Sequence, residues 1–424
     1  MEKMKFTDMN IDCIESCLEH LKIEDLLNAA ASNKRLNHAA KSIYDRKYHC
    51  RRIPLHIVNG NPFALSTLRY LRCFGELITR IQLIFYGEIN QYSWRYSEPW
   101  KERKFIRTQR TIDYINEYCG ESLVDIEFIR IQDLPEHFKK PFPRVKRLKI
   151  DDCSFSGLTE KNWLNTIFPR MQELHISVTN VHCEEVSQIT FELAENHFAF
   201  LEHLSIFLSQ FETIPWIVDS LRRNFMAALE LNPQLKHLCV STSPGIPFFD
   251  ANDFQSVNLQ NLESLEVTVN DSFYFEFNGE SMRFRNLKSL RFIEQTNISY
   301  PIPFVADNLE TLHLYKFVRM SEYEYDFIEK HPTITFLRLS VIEHVDLERI
   351  AKALPLLKAI EFGYSVRLTI DNMIPHWTTF ESLKQISFLM EHIEEEDLIP
   401  LLIDGWSIDT IVKYSTKYEI KLKR

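Results

Sequence analysis

A six-residue pattern of apolar and polar positions recurs along most of the chain. Its first, fourth and sixth places are apolar, as in "ITRIQL" at residues 78–83 and "LETLHL" at residues 309–314. Because side chains alternate along a β-strand, the fourth and sixth residues would face a shared core while their neighbours face outward. The pattern therefore predicts one short strand per copy, each pairing in parallel with the next. The copies begin at residues 78, 123, 145, 171, 201, 235, 262, 287, 309, 334, 357 and 383.

Segments with helical spacing of apolar residues separate several of these copies. Apolar residues three and four places apart predict a helix in each of them. Residues 272–285 alternate apolar and polar residues instead, and we expect an extended segment there. Near the end of the chain, Ile408 and Ile411 mark a decayed copy, which suits a terminal unit that covers the end of the array. The predicted helices are residues 159–168, 215–230, 321–331, 345–355 and 394–406.

Residues 11–48 have a different pattern, with apolar residues spaced for three short helices. Ile11, Ile14, Leu18 and Leu21 would form one stripe along the first helix. A second helix would contain Leu26, Leu27 and Ala30, and a third would run from about residue 33 to residue 48. Helices of this size bury too little apolar surface to be stable alone. Part of the stripe should therefore face a partner, or cover the first strand unit.

Two resemblances follow from these patterns. The repeating frame resembles the leucine-rich repeat, L-x-x-L-x-L, whose units are about 20 to 29 residues long. The segments "CIESCLEHL", "EDLLNAA" and "NKRLNHAA" resemble the F-box, a helical motif that docks on the Skp-type adaptor of cullin-based ubiquitin ligases. They imply an α/β fold, with an F-box-like helical module at residues 1–50. A leucine-rich-repeat solenoid of about 12 or 13 irregular repeats with a C-terminal cap would follow at residues 51–424.

The leucine-rich repeat implies further detail about the strands and turns. Parallel strands would line the concave face of the solenoid, with mixed helices and irregular loops on the convex face. The repeat usually carries a buried Asn or Cys three places after its sixth residue, where the side chain binds backbone atoms of the turn. Cys153 and Asn270 occupy that place here, whereas most copies have other residues.

The two motifs together imply a non-catalytic substrate-recognition subunit of an SCF-type ubiquitin ligase. Such a subunit binds the adaptor and cullin core through the F-box and holds a protein target on the repeats for ubiquitin-dependent protein degradation. An interaction scaffold whose helices only cap the repeats is an alternative, and a GTPase-activating protein using Arg291 or Arg338 as an arginine finger is the enzyme-class alternative. The residues expected to contact the adaptor are Met9, Ile14, Leu18, Leu21, Leu26, Leu27 and Leu36.

The outward places of each copy are expected to form the recognition surface. They combine charges of both signs with aromatic residues, and aromatic residues and arginine are enriched at protein interfaces. The same residues would also suit the solvated side of any half-exposed sheet. The residues expected to contact a protein substrate are Glu127, Lys149, His175, His203, His237, Glu266, Arg291, His313, Tyr315, Phe336, Arg338 and Glu361.

Composition limits the classes of partner. The 424 residues carry a formal net charge of −10, which opposes non-specific attraction to nucleic acid, although residues 94–110 and 139–149 are locally basic. The chain has no run of the roughly 18 apolar residues that a membrane helix needs, so we expect no membrane segment. The eight cysteines occur singly, without CxxC pairs, which indicates reduced thiols and a cytoplasmic or nuclear protein.

The sequence offers little catalytic or metal-binding chemistry. It contains no P-loop, GxGxxG, HExxH or GxSxG motif, and we expect neither a cofactor nor enzymatic activity. Cys13, Cys17 and His20 are spaced to share one face of a helix. A structural zinc site needs a fourth ligand, which the segment does not offer, so we expect no metal.

Overall fold

The computed structural model places the chain in two compact units, Met1–Leu201 (unit 1) and Glu202–Arg424 (unit 2). Each unit is an α/β arrangement whose sheet is parallel or mostly parallel. The residues that the structure describes are 9–58, 65–86, 98–155, 162–179, 183–209, 215–242, 259–269, 282–294, 302, 304–316, 320–340, 345–363, 379–390, 406–414 and 417–424.

Unit 1 begins with the three short helices that the sequence predicts: α1 (Ile11–Leu18), α2 (Ile23–Ser32) and α3 (Lys34–Tyr48). Asparagine side chains cap the first and third helices. Asn10 accepts a hydrogen bond from the Asp12 backbone N–H, and Asn33 accepts one from Arg35, which satisfies donors that the first helical turn leaves open.

The remainder of unit 1 is a parallel sheet whose strand order follows the chain. Helices and short 3₁₀ turns connect its strands. The strands are β1 (Ile53–Val58), β2 (Arg80–Tyr86), β3 (Asp125–Ile129), β4 (Arg147–Asp151) and β5 (Glu173–Val178). The helices are α4 (Leu65–Phe74), α5 (Glu98–Cys119), α6 (Trp163–Ile167) and α7 (Cys183–Glu195).

Unit 2 continues the same plan with eight parallel strands in its main sheet. These are β6 (His203–Leu208), β7 (His237–Thr242), β8 (Ser264–Val269), β10 (Ser289–Glu294), β12 (Thr311–Lys316), β13 (Phe336–Ser340), β14 (Ala359–Phe362) and β15 (Gln385–Met390). Two short strands, β9 (Met282–Phe284) and β11 (Phe304–Ala306), pair with each other separately. The described helices of this unit are α8 (Pro215–Leu231), α9 (Glu322–Glu329) and α10 (Leu347–Ala353).

Every predicted copy of the six-residue frame forms a strand that begins two residues after the frame does. Within each unit, equivalent places of successive copies pair with each other, so that Glu127 lies opposite Lys149 and Arg291 lies opposite His313. The first, fourth and sixth residues of all twelve copies are buried. The expectation of an α/β fold is therefore confirmed. The apolar pattern explains the agreement, since it both directs side chains into the core and sets the register between neighbouring strands.

The structure departs from the sequence expectations at both ends of the strand array. Strand β1 was not predicted, because the first place of its frame is Cys50, which is exposed. Ile408 and Ile411, expected in a decayed final copy, lie on β16 (Ser407–Tyr414), which pairs antiparallel with β17 (Lys417–Lys423). Strand β17 in turn pairs antiparallel with β15, so a hairpin follows the last parallel strand.

The helix predictions agree with the structure where residues are described. Helix α8 ends one residue beyond the predicted range 215–230. Helices α9, α10 and α6 lie inside the predicted ranges 321–331, 345–355 and 159–168. Nearly all of the helix predicted at 394–406, and residues 272–281 of the extended segment, lie outside the described residues. Helices α4, α5 and α7 were not predicted.

Candidate functional site

The apolar residues of the N-terminal helices divide into a buried set and a partly exposed set. Ile14, Leu18, Leu26 and Leu27 are buried within the chain, where they share a core with residues of α3. The other predicted adaptor contacts, Met9, Leu21 and Leu36, are partly exposed. A partner approaching the chain as it stands would therefore meet the second set.

Helix α3 is fixed to the rest of unit 1 by an aromatic cluster with α4. The ring of Tyr44 stacks on that of Phe74 with centroids 4.5 Å apart, and the Tyr70 hydroxyl donates a hydrogen bond of 2.9 Å to the Tyr44 hydroxyl. Burial raises the pKa of Tyr44 to about 12, so its hydroxyl stays protonated. Lys41 of α3 also pairs with Glu76 at 2.5 Å. One side of the N-terminal module is thus packed onto the rest of unit 1.

The other side of the module is polar and sulfur-rich. Cys13 and Cys17 are exposed thiols on α1, and His20 is exposed just beyond its end. Within the described residues, no group of three or more His, Cys, Asp or Glu side chains is placed to hold a metal ion. These side chains belong to the solvent-facing surface of the module.

A network of ion pairs covers the outward side of β3 and β4 in unit 1. Arg52, which precedes β1, reaches Asp125 at 2.9 Å and Glu127 at 2.8 Å. Lys149 pairs with Glu127 at 2.6 Å, and Arg147 pairs with Asp125 at 3.3 Å. Both carboxylates are buried by these contacts, with Glu127 only 2% exposed. Of the predicted unit 1 contacts, Lys149 and His175 therefore remain partly accessible, whereas Glu127 is enclosed by its partners.

Sequence reasoning did not find this network. Arg52 lies outside every predicted copy of the frame, and Asp125 and Arg147 occupy third places, which were expected only to lie at the surface. Opposite charges at equal places of neighbouring copies were a usable signal for the Asp125–Arg147 pair, because register places such residues side by side. Arg52 had no such signal, since it crosses β2 to reach β3.

Two histidines stack at the start of unit 2. The rings of His203 on β6 and His237 on β7 lie 3.8 Å apart between centroids, as their paired places predict. Burial, followed by the neighbouring His203, lowers the pKa of His237, which favours an uncharged ring at neutral pH. Phe207, farther along β6, is 43% exposed. This part of the surface combines aromatic rings with the neighbouring ion pair of Lys236 and Glu202.

The centre of the unit 2 sheet carries five residues in register across β8, β10, β12, β13 and β14, which we call the charged row. Arg291 pairs with Glu266 at 3.2 Å, and Arg338 pairs with Glu361 at 3.6 Å. His313 lies between the two arginines, and its ring contacts Phe336 with centroids 5.5 Å apart. The charged row, in order, is Glu266, Arg291, His313, Arg338 and Glu361.

The structure thus brings together the predicted substrate contacts within each unit. Tyr315 and Phe336 lie on β12 and β13 beside the charged row, and both are partly exposed. His203 and His237 form the stacked pair, and Lys149 and His175 are neighbours on β4 and β5. The arrangement offers charged and aromatic side chains to a partner.

Comparisons with known proteins give no family. No protein-family model matches the chain, and no curated protein matches it. Among the helices that the structure describes, none is long and apolar enough to cross a membrane. Function therefore has to be inferred from the surfaces themselves.

Proposed function

We propose that this chain is an F-box-like module followed by a leucine-rich-repeat solenoid, and that it acts as the substrate-recognition subunit of an SCF-type ubiquitin ligase. The N-terminal helices bind a Skp-type adaptor, and the outward side of the repeats binds a protein target. The chain itself catalyses nothing; it raises the concentration of the target beside the ligase.

One observation carries the proposal: three short helices precede twelve copies of a leucine-rich frame, and the copies pair in register within each unit. The helices α1, α2 and α3 have the order and spacing that resemble the F-box. The strands follow at the intervals of leucine-rich repeats, and each turns polar and aromatic residues outward. A small docking element joined to a long recognition surface suits a receptor that links a target to an enzyme.

Burial decides which residues of the module serve adaptor binding. Ile14, Leu18, Leu26 and Leu27 stabilise the module from within, and Met9, Leu21 and Leu36 supply the apolar contacts that a partner reaches. Substituting a buried residue would unfold the module and lose binding for the wrong reason. A test of binding therefore has to use the partly exposed residues.

The test is co-purification of the chain with a Skp-type adaptor. The double variant Leu21→Asp, Leu36→Asp places two charges on the partly exposed side and should abolish co-purification while the protein stays folded. Leu356→Asp is the matched control, because Leu356 is 53% exposed in unit 2 and should leave adaptor binding unchanged. Absence of adaptor binding by the folded natural chain would rule out the ligase role.

A second candidate function is an interaction scaffold whose N-terminal helices only cap the repeats. It is favoured by the packing of Tyr44 on Phe74, which shows that the module already has a partner within unit 1. The two candidates differ on the exposed side of the module: a cap tolerates Leu21→Asp, Leu36→Asp with no loss of any partner, whereas the ligase receptor loses its adaptor.

A further inference from the structure

The charged row of unit 2 places two guanidinium groups on either side of one imidazole. Adjacent strands lie about 4.8 Å apart, so the backbones at Arg291 and Arg338 are roughly 9.6 Å apart, with His313 midway. Each glutamate pairs with its arginine on the side away from His313, because the row runs Glu266, Arg291, His313, Arg338, Glu361. The space above His313 is thus flanked by positive charge on both sides.

Several hydrogen-bond donors of these side chains have no protein partner among the residues that the structure describes. Among the described residues, Arg291 bonds only Glu266 through Nη1, and Arg338 contacts only Glu361 through Nη1. Neither ring nitrogen of His313 has a hydrogen-bond partner in the described part of the chain. An arginine has five N–H donors and a neutral histidine has one, so most of these donors are available to a ligand.

His313 is uncharged at neutral pH. Burial, then Arg338 and Arg291, lower its pKa to about 4. The two guanidinium groups are therefore close enough to the ring to oppose a third positive charge. A neutral imidazole keeps one N–H to donate, and the charges opposite an incoming ligand are those of the two arginines.

We propose that the charged row binds a phosphorylated serine or threonine of a protein segment, with the phosphate held between Arg291 and Arg338 above His313. A phosphate monoester carries a charge of about −1.5 to −2 and three acceptor oxygens, which matches two guanidinium groups and one N–H donor. A carboxylate matches only one of the two positive charges. This inference deepens the proposed function, since it states which chemical class of target segment the repeats accept.

The surroundings of the charged row fit a peptide rather than a free ion. The side chains of Arg291 and Arg338 are 50% and 44% exposed, so a segment lying on the sheet reaches them. Phe336 contacts the His313 ring, and partly exposed Tyr315 lies on the same strand as His313. These two aromatic residues offer apolar surface to the residues that flank the phosphate.

The experiment uses the full chain and three probes: N-acetyl-phosphoserine-N-methylamide, N-acetyl-glutamate-N-methylamide and inorganic phosphate. Binding is followed at pH 7 by NMR of histidine labelled at Cε1, with the His313 signal assigned by its loss in His313→Asn. We expect the phosphoserine probe to shift the His313 signal in a saturable way. The double variant Arg291→Gln, Arg338→Gln should weaken its binding by roughly tenfold or more, because two charge-assisted hydrogen-bonding groups are lost.

Two further variants make the test specific to the charged row. Glu266→Gln removes a carboxylate that competes for Arg291, and it should tighten binding of the phosphoserine probe. Arg285→Gln removes the same charge from an exposed arginine outside the charged row and should leave binding unchanged. Equal binding by the natural chain and the double variant, or no shift of the His313 signal, would overturn the proposal.

The remaining outcomes are equally decisive. If the glutamate probe binds as tightly as the phosphoserine probe, the site recognises an acidic side chain and has no preference for phosphate. If inorganic phosphate binds as tightly, the site recognises the ion and not a peptide segment. Either result overturns the proposal. A chain that binds the phosphoserine probe but no adaptor keeps this site and loses the ligase role. A chain that binds the adaptor but not the probe loses this site alone.

Discussion

At the scale of single residues, polar side chains complete the turns between strands. Cys153 is buried, its sulfur accepts a hydrogen bond from the Ile131 N–H at 3.3 Å, and its thiol donates one to the Phe128 carbonyl at 3.4 Å. Most copies lack a cysteine at this place. In part of unit 2, a side chain at a different place of the unit binds the backbone of the turn instead. The residue just before the frame is asparagine in three successive copies. Each of these side chains donates to the carbonyl two residues before the start of the preceding copy: Asn261 to Pro233, Asn286 to Gln260 and Asn308 to Arg285.

The ion-pair network of unit 1 gives a prediction at this scale. Arg52→Ala removes the residue that holds both buried carboxylates, Asp125 and Glu127, while Arg147 and Lys149 stay in place. We expect the free energy of unfolding to fall by about 2 kcal/mol, below the full cost of breaking a buried ion pair because other partners remain. Urea unfolding followed by circular dichroism measures the change. Arg285→Ala, at an exposed position, is the control, and an unchanged urea midpoint for Arg52→Ala would show that the network does not stabilise the fold.

At the scale of elements, the contact between α3 and α4 joins the N-terminal module to the sheet. The stacked pair of Tyr44 and Phe74 and the hydroxyl bond from Tyr70 lie at this contact, and Tyr44 and Phe74 are fully buried. The sequence predicted α1, α2 and α3 but not α4, so the surface that receives α3 was not foreseen. Helical spacing identifies which side of a helix is apolar, but it does not identify what covers that side.

A substitution at this contact tests the packing. Phe74→Ala should destabilise unit 1 by about 3 to 5 kcal/mol, because it deletes a large buried ring and leaves a cavity beside Tyr44. We expect faster hydrogen exchange in residues 11–48, measured by mass spectrometry. Tyr70→Phe, which removes only the hydroxyl, should cost about 1 kcal/mol. Unaltered exchange in residues 11–48 of Phe74→Ala would mean that the module does not depend on this contact.

At the scale of the whole molecule, the period of the frame predicts the strand order within each unit. Successive copies pair because each strand needs a neighbour for its backbone N–H and C=O groups, and the next copy along the chain is the nearest. The helices and turns between strands follow no single pattern, since nothing in the frame constrains them. The two compact units meet between residues 201 and 202, whereas the sequence predicted a boundary at residue 50, between the helical module and the repeats. That boundary stays a prediction.

Thiol reactivity gives a test that samples the fold at many positions at once. Cys13, Cys17 and Cys50 are exposed, whereas Cys119 and Cys153 are buried and burial raises the pKa of each to about 12. Since the thiolate is the reactive form, we expect iodoacetamide to modify the first three in the native protein and the last two only after unfolding. Mass spectrometry of peptides locates the modified residues. Native labelling of Cys153 as fast as that of Cys13 would contradict the fold in this region.

The sequence by itself determined where the strands lie, which residues face the core and how neighbouring strands align, because a two-residue alternation repeated at a regular interval specifies all three. Only the tertiary structure decided which outward and apolar residues remain available. Glu127 is enclosed by Arg52, 75 residues earlier. Ile14 is buried while Leu21, which lies beyond the end of α1, is partly exposed, although the sequence predicted both in one helical stripe. The antiparallel end of the sheet was likewise decided by folding. These outcomes depend on contacts between distant parts of the chain, and local spacing carries no record of them.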